Sequence, residues 1–180
     1  MNKDVLRQLA QERIGQYSTD KKKELSKKLW NFFWQLWDQQ KFTPKLVSCF
    51  LSLSDEPDTY EGMKKLQEHN AMLLVPKVEF LQGNSHPQPN IPPPLSHHYW
   101  ASPTTPYQSM RLNRFGVSEP DSDQYRISLE LLSELGMVLV PTLAFDGLNE
   151  RVGRGKGCYD RFLGELRQLQ KDKKQHIRHL

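Results

Sequence analysis

Residues 137–162 read MVLVPTLAFDGLNERVGRGKGCYDRF and contain three kinds of sequence in succession. The first nine residues are apolar and include β-branched side chains, as in a strand that is buried on both faces. A polar turn follows, and glycines then stand at positions 153, 155 and 157, directly before a helical pattern. The stretch therefore predicts a buried strand, a glycine-rich loop and a helix, in that order.

Two earlier segments have the same apolar character as this strand. KLVSCFLSL (45–53) and AMLLVPKV (71–78) each predict a buried strand with polar residues beyond it. Helices are predicted at 3–16, 20–40, 59–69, 123–135 and from about Cys158 into a basic tail at 165–180. Buried strands that alternate with helices indicate an α/β protein with a three-layer fold, in which helices flank a mostly parallel sheet.

The two N-terminal helices carry apolar side chains that we expect to face the core. Ser18 or Thr19 is a suitable N-cap for the second helix. The first helix is expected to bury Val5, Leu6, Leu9 and Ile14, and the second Leu25, Leu29, Phe32, Phe33 and Leu36, with Trp30, Trp34 and Trp37 extending the same stripe. An aromatic stripe at helical spacing is typical of core or of a partner surface, and we assign no chemistry to it.

The segment 82–109 has a different composition, rich in Pro, His and Ser and without periodicity. It predicts a long loop, in part polyproline-like. His86, His97 and His98 raise the question of a metal site, but no Cys or carboxylate stands at ligand spacing around them. An ordinary polar loop is therefore the favoured interpretation.

The length of 180 residues suits one hydrophobic core, and we expect a single domain over 1–180. The 25 basic and 21 acidic residues give a net charge of +4, which permits an anionic ligand but predicts no nucleic-acid interface or membrane partner. No apolar run is long enough to cross a bilayer, and the charged N-terminus lacks the core of a secretory signal. Two cysteines cannot form a disulfide framework, so a reducing cytoplasm is the expected compartment.

The glycine-rich loop has the chemistry of an anion site. Alternating glycines let the backbone approach a ligand closely, and their N–H groups add to those of the helix N-terminus that follows. Arg151, Arg154 and Lys156 bring positive charge to the loop, and Asp160 stands where it could hold Mg²⁺ on a bound phosphate. The spacing fits neither a Walker A loop nor a dinucleotide fingerprint. Phosphate binding is the favoured interpretation, and a flexible basic turn is the alternative.

The same stretch resembles the 5-formyltetrahydrofolate cyclo-ligase (5,10-methenyltetrahydrofolate synthetase) family. Its hallmark, P-x-L-x-F-D followed by R-x-G-R-G-x-G-Y-Y-D, is matched by Pro141, Leu143, Phe145, Asp146, Arg151, Gly153, Arg154, Gly155, Gly157, Tyr159 and Asp160. Lys3 and Arg7 match the basic residues that open the family's first helix, and Glu56 in FLSLSDEPDT matches its folate-side glutamate. VPK (75–77) and RFGVSEP (114–120) resemble a second strand end and a G-x-x-E-P turn.

The resemblance implies a reaction in which ATP and 5-formyltetrahydrofolate, with Mg²⁺, give ADP, phosphate and 5,10-methenyltetrahydrofolate. ATP would phosphorylate the formyl oxygen, and N10 would then close the ring on the activated carbon. Arg154 and Lys156 would be catalytic, and Asp160 would hold the metal. The implied nucleotide-binding residues are Lys3, Arg7, Arg151, Gly153, Arg154, Gly155, Lys156, Gly157 and Tyr159. Glu56 and Tyr159 would contact the folate.

The sequence departs from the family at three places. Cys158 stands where the family has the first tyrosine of its Tyr-Tyr pair, and a thiol cannot stack as a ring does. The family continues beyond the last helix into further strands, so we expect C-terminal strands of the sheet to be shortened or missing here. The segment 82–109 does not align with the family. These departures leave open a non-catalytic relative that binds nucleotide or folate without turnover, and a small nucleic-acid-binding protein that uses the basic tail and the Trp-rich helix is a more distant alternative.

Overall fold

The structure is a computed structural model that describes residues 2–39, 44–79, 92–100, 110–113, 116–121 and 125–178. Its helices are α1 (Lys3–Gly15), α2 (Thr19–Gln39), α3 (Tyr60–Glu68), α4 (Leu129–Leu132) and α5 (Cys158–Arg178). Its strands are β1 (Leu46–Ser48), β2 (Met72–Val78), β3 (Leu95–Trp100), β4 (Met110–Leu112), β5 (Ser118–Pro120), β6 (Met137–Val138), β7 (Ala144–Phe145) and β8 (Arg151–Val152). None of the described helices is long and apolar enough to cross a membrane.

The central sheet has the strand order β3-β2-β1-β6. Strand β1 pairs in parallel with both β2 and β6, and β3 runs antiparallel to β2. Two separate hairpins, β4–β5 and β7–β8, lie outside this sheet. The α/β prediction with a mostly parallel sheet flanked by helices is therefore confirmed.

Helices cover both faces of the sheet, which explains why its strands are apolar throughout. On one face, Leu73 and Val75 pack with Trp34 and Trp37 of α2 and with Met63 of α3. Helix α5 covers the opposite face, where its Phe162 and Leu166 pack against Leu46, Leu74 and Leu95. Because Cβ atoms alternate along a strand, adjacent residues of β2 serve the two cores in turn.

The apolar stripe predicted for α2 is confirmed for its aromatic residues other than Phe32 and wrong for its leucines. Leu25, Leu29, Phe32 and Leu36 are exposed, whereas the predicted Trp30, Phe33, Trp34 and Trp37 face the core, with Ser26 on the same side. Hydrogen bonds fix this rotation, because Ser26 Oγ accepts from the Asp58 amide at 3.0 Å and the Trp30 indole donates to the Asp58 carbonyl at 2.6 Å. The larger tryptophan rings thus fill the core.

The first helix lies differently from the prediction. None of its residues is buried; Val5 and Leu9 are about half exposed, and Leu6 and Ile14 are partly covered. The helix contacts the β7–β8 hairpin rather than the main sheet. A polar contact from Arg7, described below, attaches it there.

Two predicted strands are shorter than expected. Of 45–53, only Leu46–Ser48 forms a strand, and 137–145 divides into β6 and β7. The chain leaves the sheet after the Leu139 amide bonds to the Ser48 carbonyl at 2.8 Å, because Pro141 has no N–H to continue the ladder. The chain then pairs with β8, beginning with a 2.9 Å hydrogen bond from the Leu143 amide to the Val152 carbonyl.

The predicted helix 123–135 is reduced to α4 among its described residues, and 122–124 lie outside them. Ser128 is the N-cap of α4, because its hydroxyl oxygen accepts a hydrogen bond from the Leu131 amide at 3.2 Å. The helix therefore begins after Ser128 and not at residue 123. Arg126, two residues earlier, forms a β-bridge with His98, which excludes a helical backbone at that point.

The long-loop prediction for 82–109 is wrong for its middle. Residues 95–100 form β3, which pairs with β2 over six positions. His97 packs against the Phe162 ring, with the ring centroids 4.2 Å apart, and His98 shares a 2.9 Å hydrogen bond with Ser96 Oγ. Because neighbours on a strand point to opposite faces, these two histidines cannot bind one metal ion. His86 and the rest of the segment, 82–91 and 101–109, lie outside the described residues.

Candidate functional site

A cavity of about 350 Å³ lies between α1, the loop after β1, the β4–β5 hairpin and the glycine-rich loop before α5. Every residue that the sequence singled out for binding or catalysis lines it: Lys3, Arg7, Glu56, Arg151, Gly153, Arg154, Gly155, Lys156, Gly157, Tyr159 and Asp160. These residues come from three parts of the sequence that are far apart. The fold therefore brings them to one place.

The glycine-rich loop has a backbone that only glycine adopts easily at two positions. Gly155 has φ of +91° and Gly157 has φ of +69°, both in the left-handed region. A Cβ atom on Gly155 would lie 3.2 Å from the Arg7 guanidinium, and one on Gly157 would lie 2.8 Å from the Pro92 ring. Both the positive φ values and the close neighbours therefore require glycine at these two positions. Backbone N–H groups in such a loop can form an anion-binding concavity.

Helix α1 is attached to this loop by Arg7. Arg7 Nε donates to the Gly153 carbonyl at 3.0 Å, and its Nη1 forms an ion pair with Asp4. Lys3, one turn earlier on the same helix, also lines the cavity. The first helix therefore adds two cations to those of the loop.

Arg154 connects the loop to the segment after β1. Its Nη2 lies 2.5 Å from Asp55 Oδ1 and its Nε lies 3.1 Å from Glu56 Oε1. Burial lowers the pKa of Arg154, but the two carboxylates outweigh that effect and raise it. Glu56 is itself held, because its Oε2 accepts from the Leu53 amide at 2.9 Å. The predicted phosphate residue and the predicted folate residue are thus direct neighbours.

Asp160 lies in the first turn of α5 and pairs with Arg151 at 2.5 Å. The described residues contain no group of three His, Cys, Asp or Glu side chains that could hold a metal ion unaided. Mg²⁺ is commonly bound by one or two carboxylates together with substrate phosphates and water. The mostly exposed Asp160 carboxylate beside the glycine-rich loop fits that mode.

The residues at the start of α5 divide between cavity and core. Tyr159 packs against the α5 side of the sheet, and its hydroxyl is buried with no hydrogen-bond partner among the described residues. Burial raises the pKa of Tyr159 far above its usual range, so the phenol stays protonated. Burial also raises the pKa of the Cys158 thiol, which disfavours Cys158 as a nucleophile.

Several residues in or beside the cavity received no role from the sequence. Apolar walls come from Leu53, Val78, Leu95, Val117, Pro141 and Leu143, of which the last two were named only as part of the family hallmark. Glu119 lines the cavity and Asp55 pairs with Arg154 beside it, and both stand within segments that carry the family resemblance. Asp55 directly precedes Glu56, and Glu119 is the acidic residue of the G-x-x-E-P turn.

A sheet of mostly parallel strands between helices defines an α/β protein, and a cationic glycine loop and apolar side chains line its cavity. A model of the 5-formyltetrahydrofolate cyclo-ligase family matches residues 1–179, and the chain belongs to that family.

Individual relatives are similar over a large part of the chain. The mouse 5-formyltetrahydrofolate cyclo-ligase is 26% identical over 132 residues, which are 72% of this chain and 58% of that protein. The Escherichia coli K12 protein of the same name is 30% identical over 118 residues, 65% of this chain and 56% of its own. The chain thus spans a little over half of the length of these two curated relatives.

Two solved structures share the fold. The Aquifex aeolicus 5,10-methenyltetrahydrofolate synthetase superposes with a TM-score of 0.64 at 25% identity, covering 91% of this chain and 73% of that one. A Mycoplasma pneumoniae 5,10-methenyltetrahydrofolate synthetase gives a TM-score of 0.61 at 18% identity, covering 91% and 77%. The second likeness concerns the fold alone.

Proposed function

We propose that this protein converts 5-formyltetrahydrofolate to 5,10-methenyltetrahydrofolate, using ATP and Mg²⁺ and releasing ADP and phosphate. The observation that carries the proposal is the meeting of a cationic glycine loop and apolar walls in one cavity of about 350 Å³. That volume lies within the range of small-molecule sites. Family membership supplies the reaction class.

The nucleotide side of the cavity is assigned to the loop and to α1. The N–H groups around Gly153, Gly155 and Gly157 suit phosphate oxygens, as at other glycine-rich loops before a helix. The side chains assigned with them are Lys3, Arg7, Arg151, Arg154, Lys156 and Tyr159. Phosphoryl transfer depends on positioning and on neutralisation of developing charge, and these cations supply both.

The chemical role of the loop is to activate the formyl group. Transfer of the terminal phosphoryl group to the formyl oxygen converts that oxygen into a good leaving group. N10 of the folate then attacks the formyl carbon, and phosphate departs with the N10 proton as the ring closes. Arg154 and Lys156 would neutralise charge on the transferred group, and the Asp160 carboxylate would bind Mg²⁺ together with the phosphates.

The folate side is assigned to Glu56, Tyr159 and the apolar walls. Glu56 is fixed by Arg154 and by the Leu53 amide, so its carboxylate is positioned before a ligand arrives. Tyr159 has its hydroxyl buried and its pKa raised, so it would contribute as a neutral ring. The proposed setting is the cytoplasm, and the unpaired Cys49 and Cys158 suit a reducing compartment.

The alternative is a relative that binds nucleotide or folate without turnover. Cys158 favours it, because this small side chain lines the cavity where the family hallmark has an aromatic ring. The deciding experiment is formation of methenyltetrahydrofolate by the purified chain, with ATP or Mg²⁺ omitted in turn. Product that requires both supports the enzyme, whereas ATP binding without product supports the alternative. Absence of ATP binding would contradict the assignment of the loop.

A further inference from the structure

Glu119 is a buried carboxylate on the wall of the cavity. It belongs to β5, its side chain is 2% exposed, and it lines the same cavity as the glycine loop. Most fully buried carboxylates need partners that balance the lost hydration. The hydrogen-bond partners of Glu119 therefore indicate which kind of ligand group could bind beside it.

The two oxygens of Glu119 have different surroundings. Oε2 accepts from Asn113 Nδ2 at 2.9 Å and lies 3.4 Å from the Val78 amide. Among the described residues, Arg111 is the cation near Oε1. Its Nε lies 3.7 Å from Oε1, which is longer than a normal hydrogen bond. One oxygen is anchored, and the other retains capacity to accept.

The walls near Glu119 are suited to a flat heterocycle. Val78, Leu95 and Val117 line the cavity with it, and such apolar surroundings strengthen any hydrogen bond to the carboxylate. An amino group on the edge of a planar ring is a suitable donor to Oε1, because a hydrogen bond to a charged carboxylate is stronger than one between neutral groups.

We propose that Glu119 recognises the pyrimidine edge of the pterin ring, with its Oε1 accepting a hydrogen bond from the 2-amino group. This inference rests on the proposed function, since it names the group that would hold one end of the folate. In 5-formyltetrahydrofolate the 2-amino-4-oxo ring presents this amino group at its outer edge.

Glu56 is less suited to this role. Its Oε1 is bonded to Arg154 Nε at 3.1 Å and its Oε2 to the Leu53 amide at 2.9 Å, so both oxygens are engaged. Glu119 lies on a different element from the phosphate loop, so it can hold the ring without competing for Arg154. Two carboxylates of one cavity thus take separate tasks.

The test compares two ligands and three proteins. The ligands are 5-formyltetrahydrofolate and its analogue in which a methyl group replaces the 2-amino group. The proteins are the full chain, Glu119→Gln and Asp121→Asn, a matched loss of one charge at an exposed residue just beyond β5. Affinities are measured by calorimetry, together with the affinity for ATP and the thermal unfolding temperature.

The full chain and Asp121→Asn should bind the analogue about 10- to 100-fold more weakly than 5-formyltetrahydrofolate, the effect of one charge-assisted hydrogen bond. Glu119→Gln should lose a similar factor for the natural ligand, bind both ligands with nearly equal affinity and retain its affinity for ATP. A merely structural role would weaken both ligands equally and preserve the discrimination. If Glu119→Gln fails to fold, Glu119→Asp, which keeps the charge and retracts it, should lose the discrimination in its place.

Equal binding of both ligands by the full chain would overturn the role of Glu119 and leave the proposed function intact. Discrimination that persists in Glu119→Gln or Glu119→Asp would do the same. Failure of the full chain to bind 5-formyltetrahydrofolate at all would overturn both.

Discussion

Arg7 Nε and the Gly153 carbonyl oxygen are 3.0 Å apart, so the first helix is bonded directly to the glycine loop near the other end of the sequence. The same guanidinium lies against Gly155, where a Cβ atom would approach it to 3.2 Å. Arg7 therefore holds the loop in place and brings positive charge to it. This contact explains why α1 can be essential to the site while burying none of its own residues.

Replacement of Arg7 by alanine should weaken ATP binding. Loss of the bond to Gly153 and of one cation predicts a decrease of about 10-fold or more in affinity, since a hydrogen bond to a charged group is worth about 1.5–3 kcal/mol. Calorimetric titration with ATP measures the effect. Arg13→Ala, at the exposed end of the same helix, is the matched control, and equal affinities for the two variants would contradict the role of Arg7.

Replacement of Gly155 by alanine should distort the loop. Its φ of +91° disfavours a side chain, and the new Cβ would crowd Arg7. We expect loss of ATP affinity by at least about 10-fold, because the strain of about 1–2 kcal/mol must be relieved by moving the cradle. Gly164→Ala, inside α5 with no atom within 4 Å of the new Cβ, should keep ATP affinity and stabilise the helix. Normal ATP affinity in Gly155→Ala would refute the cradle geometry.

Replacement of Asp55 by asparagine should strengthen ATP binding modestly. Asp55 and a phosphate compete for the Arg154 guanidinium, and removal of one carboxylate leaves Arg154 less neutralised. Partly exposed ion pairs contribute about 0.2–1 kcal/mol, so the expected gain is about 2- to 5-fold. Asp38→Asn on α2 removes the same charge away from the cavity and should leave the affinity unchanged. A loss of affinity in Asp55→Asn would mean that the carboxylate positions Arg154 instead of competing for it.

Replacement of Cys158 by tyrosine should improve folate use. Cys158 lines the cavity, and an aromatic ring there adds a stacking surface worth about 0.5–1.5 kcal/mol, or about 2- to 10-fold in KM for the folate. The steady-state KM for ATP serves as the internal control and should not change. An unchanged or higher folate KM would show that the ring is not needed in this chain.

Stability should fall in mild acid because of His97. Both ring nitrogens of His97 are buried with no hydrogen-bond partner among the described residues, and burial, aided by His98, lowers the pKa of His97 to about 4. The unfolded chain gains the proton as the pH falls through about 6.5, whereas the folded chain does so only near pH 4, so the free energy of unfolding decreases over that window by up to about 1.4 kcal/mol per pH unit. Urea unfolding at pH 7 and pH 5 should show a smaller difference in His97→Leu, and an identical difference would contradict this assignment.

The sequence was informative where one pattern has one structural meaning. The apolar runs around Leu73 and Met137 predicted strands, and the structure confirms that both belong to the parallel sheet. Burial on both faces is confirmed at Leu73 and Leu74, whereas Met137 and Val138 are only partly buried. The alternating glycines, together with the family hallmark, predicted the position of the loop that contains Arg154 and contacts Arg7.

The sequence was misleading where tertiary contacts decide between similar patterns. In α2, the predicted stripe combined leucines with tryptophans, and the hydrogen bond from the Asp58 amide to Ser26 selects the tryptophan side alone. Strand β3 was missed because His97 and His98 look polar, although each is buried on its own side of the sheet. The Arg154–Asp55 pair joins residues 99 positions apart, and no local spacing reveals it.

The proposed function requires that one cavity couples ATP cleavage to closure of the folate ring. The most direct test measures ADP and methenyltetrahydrofolate in the same reaction, for the full chain and for Arg154→Ala. We predict one ADP for each methenyltetrahydrofolate in the full chain and loss of both products in the variant. ADP release without ring closure, ring closure without ADP, or unchanged rates in Arg154→Ala would contradict the claim.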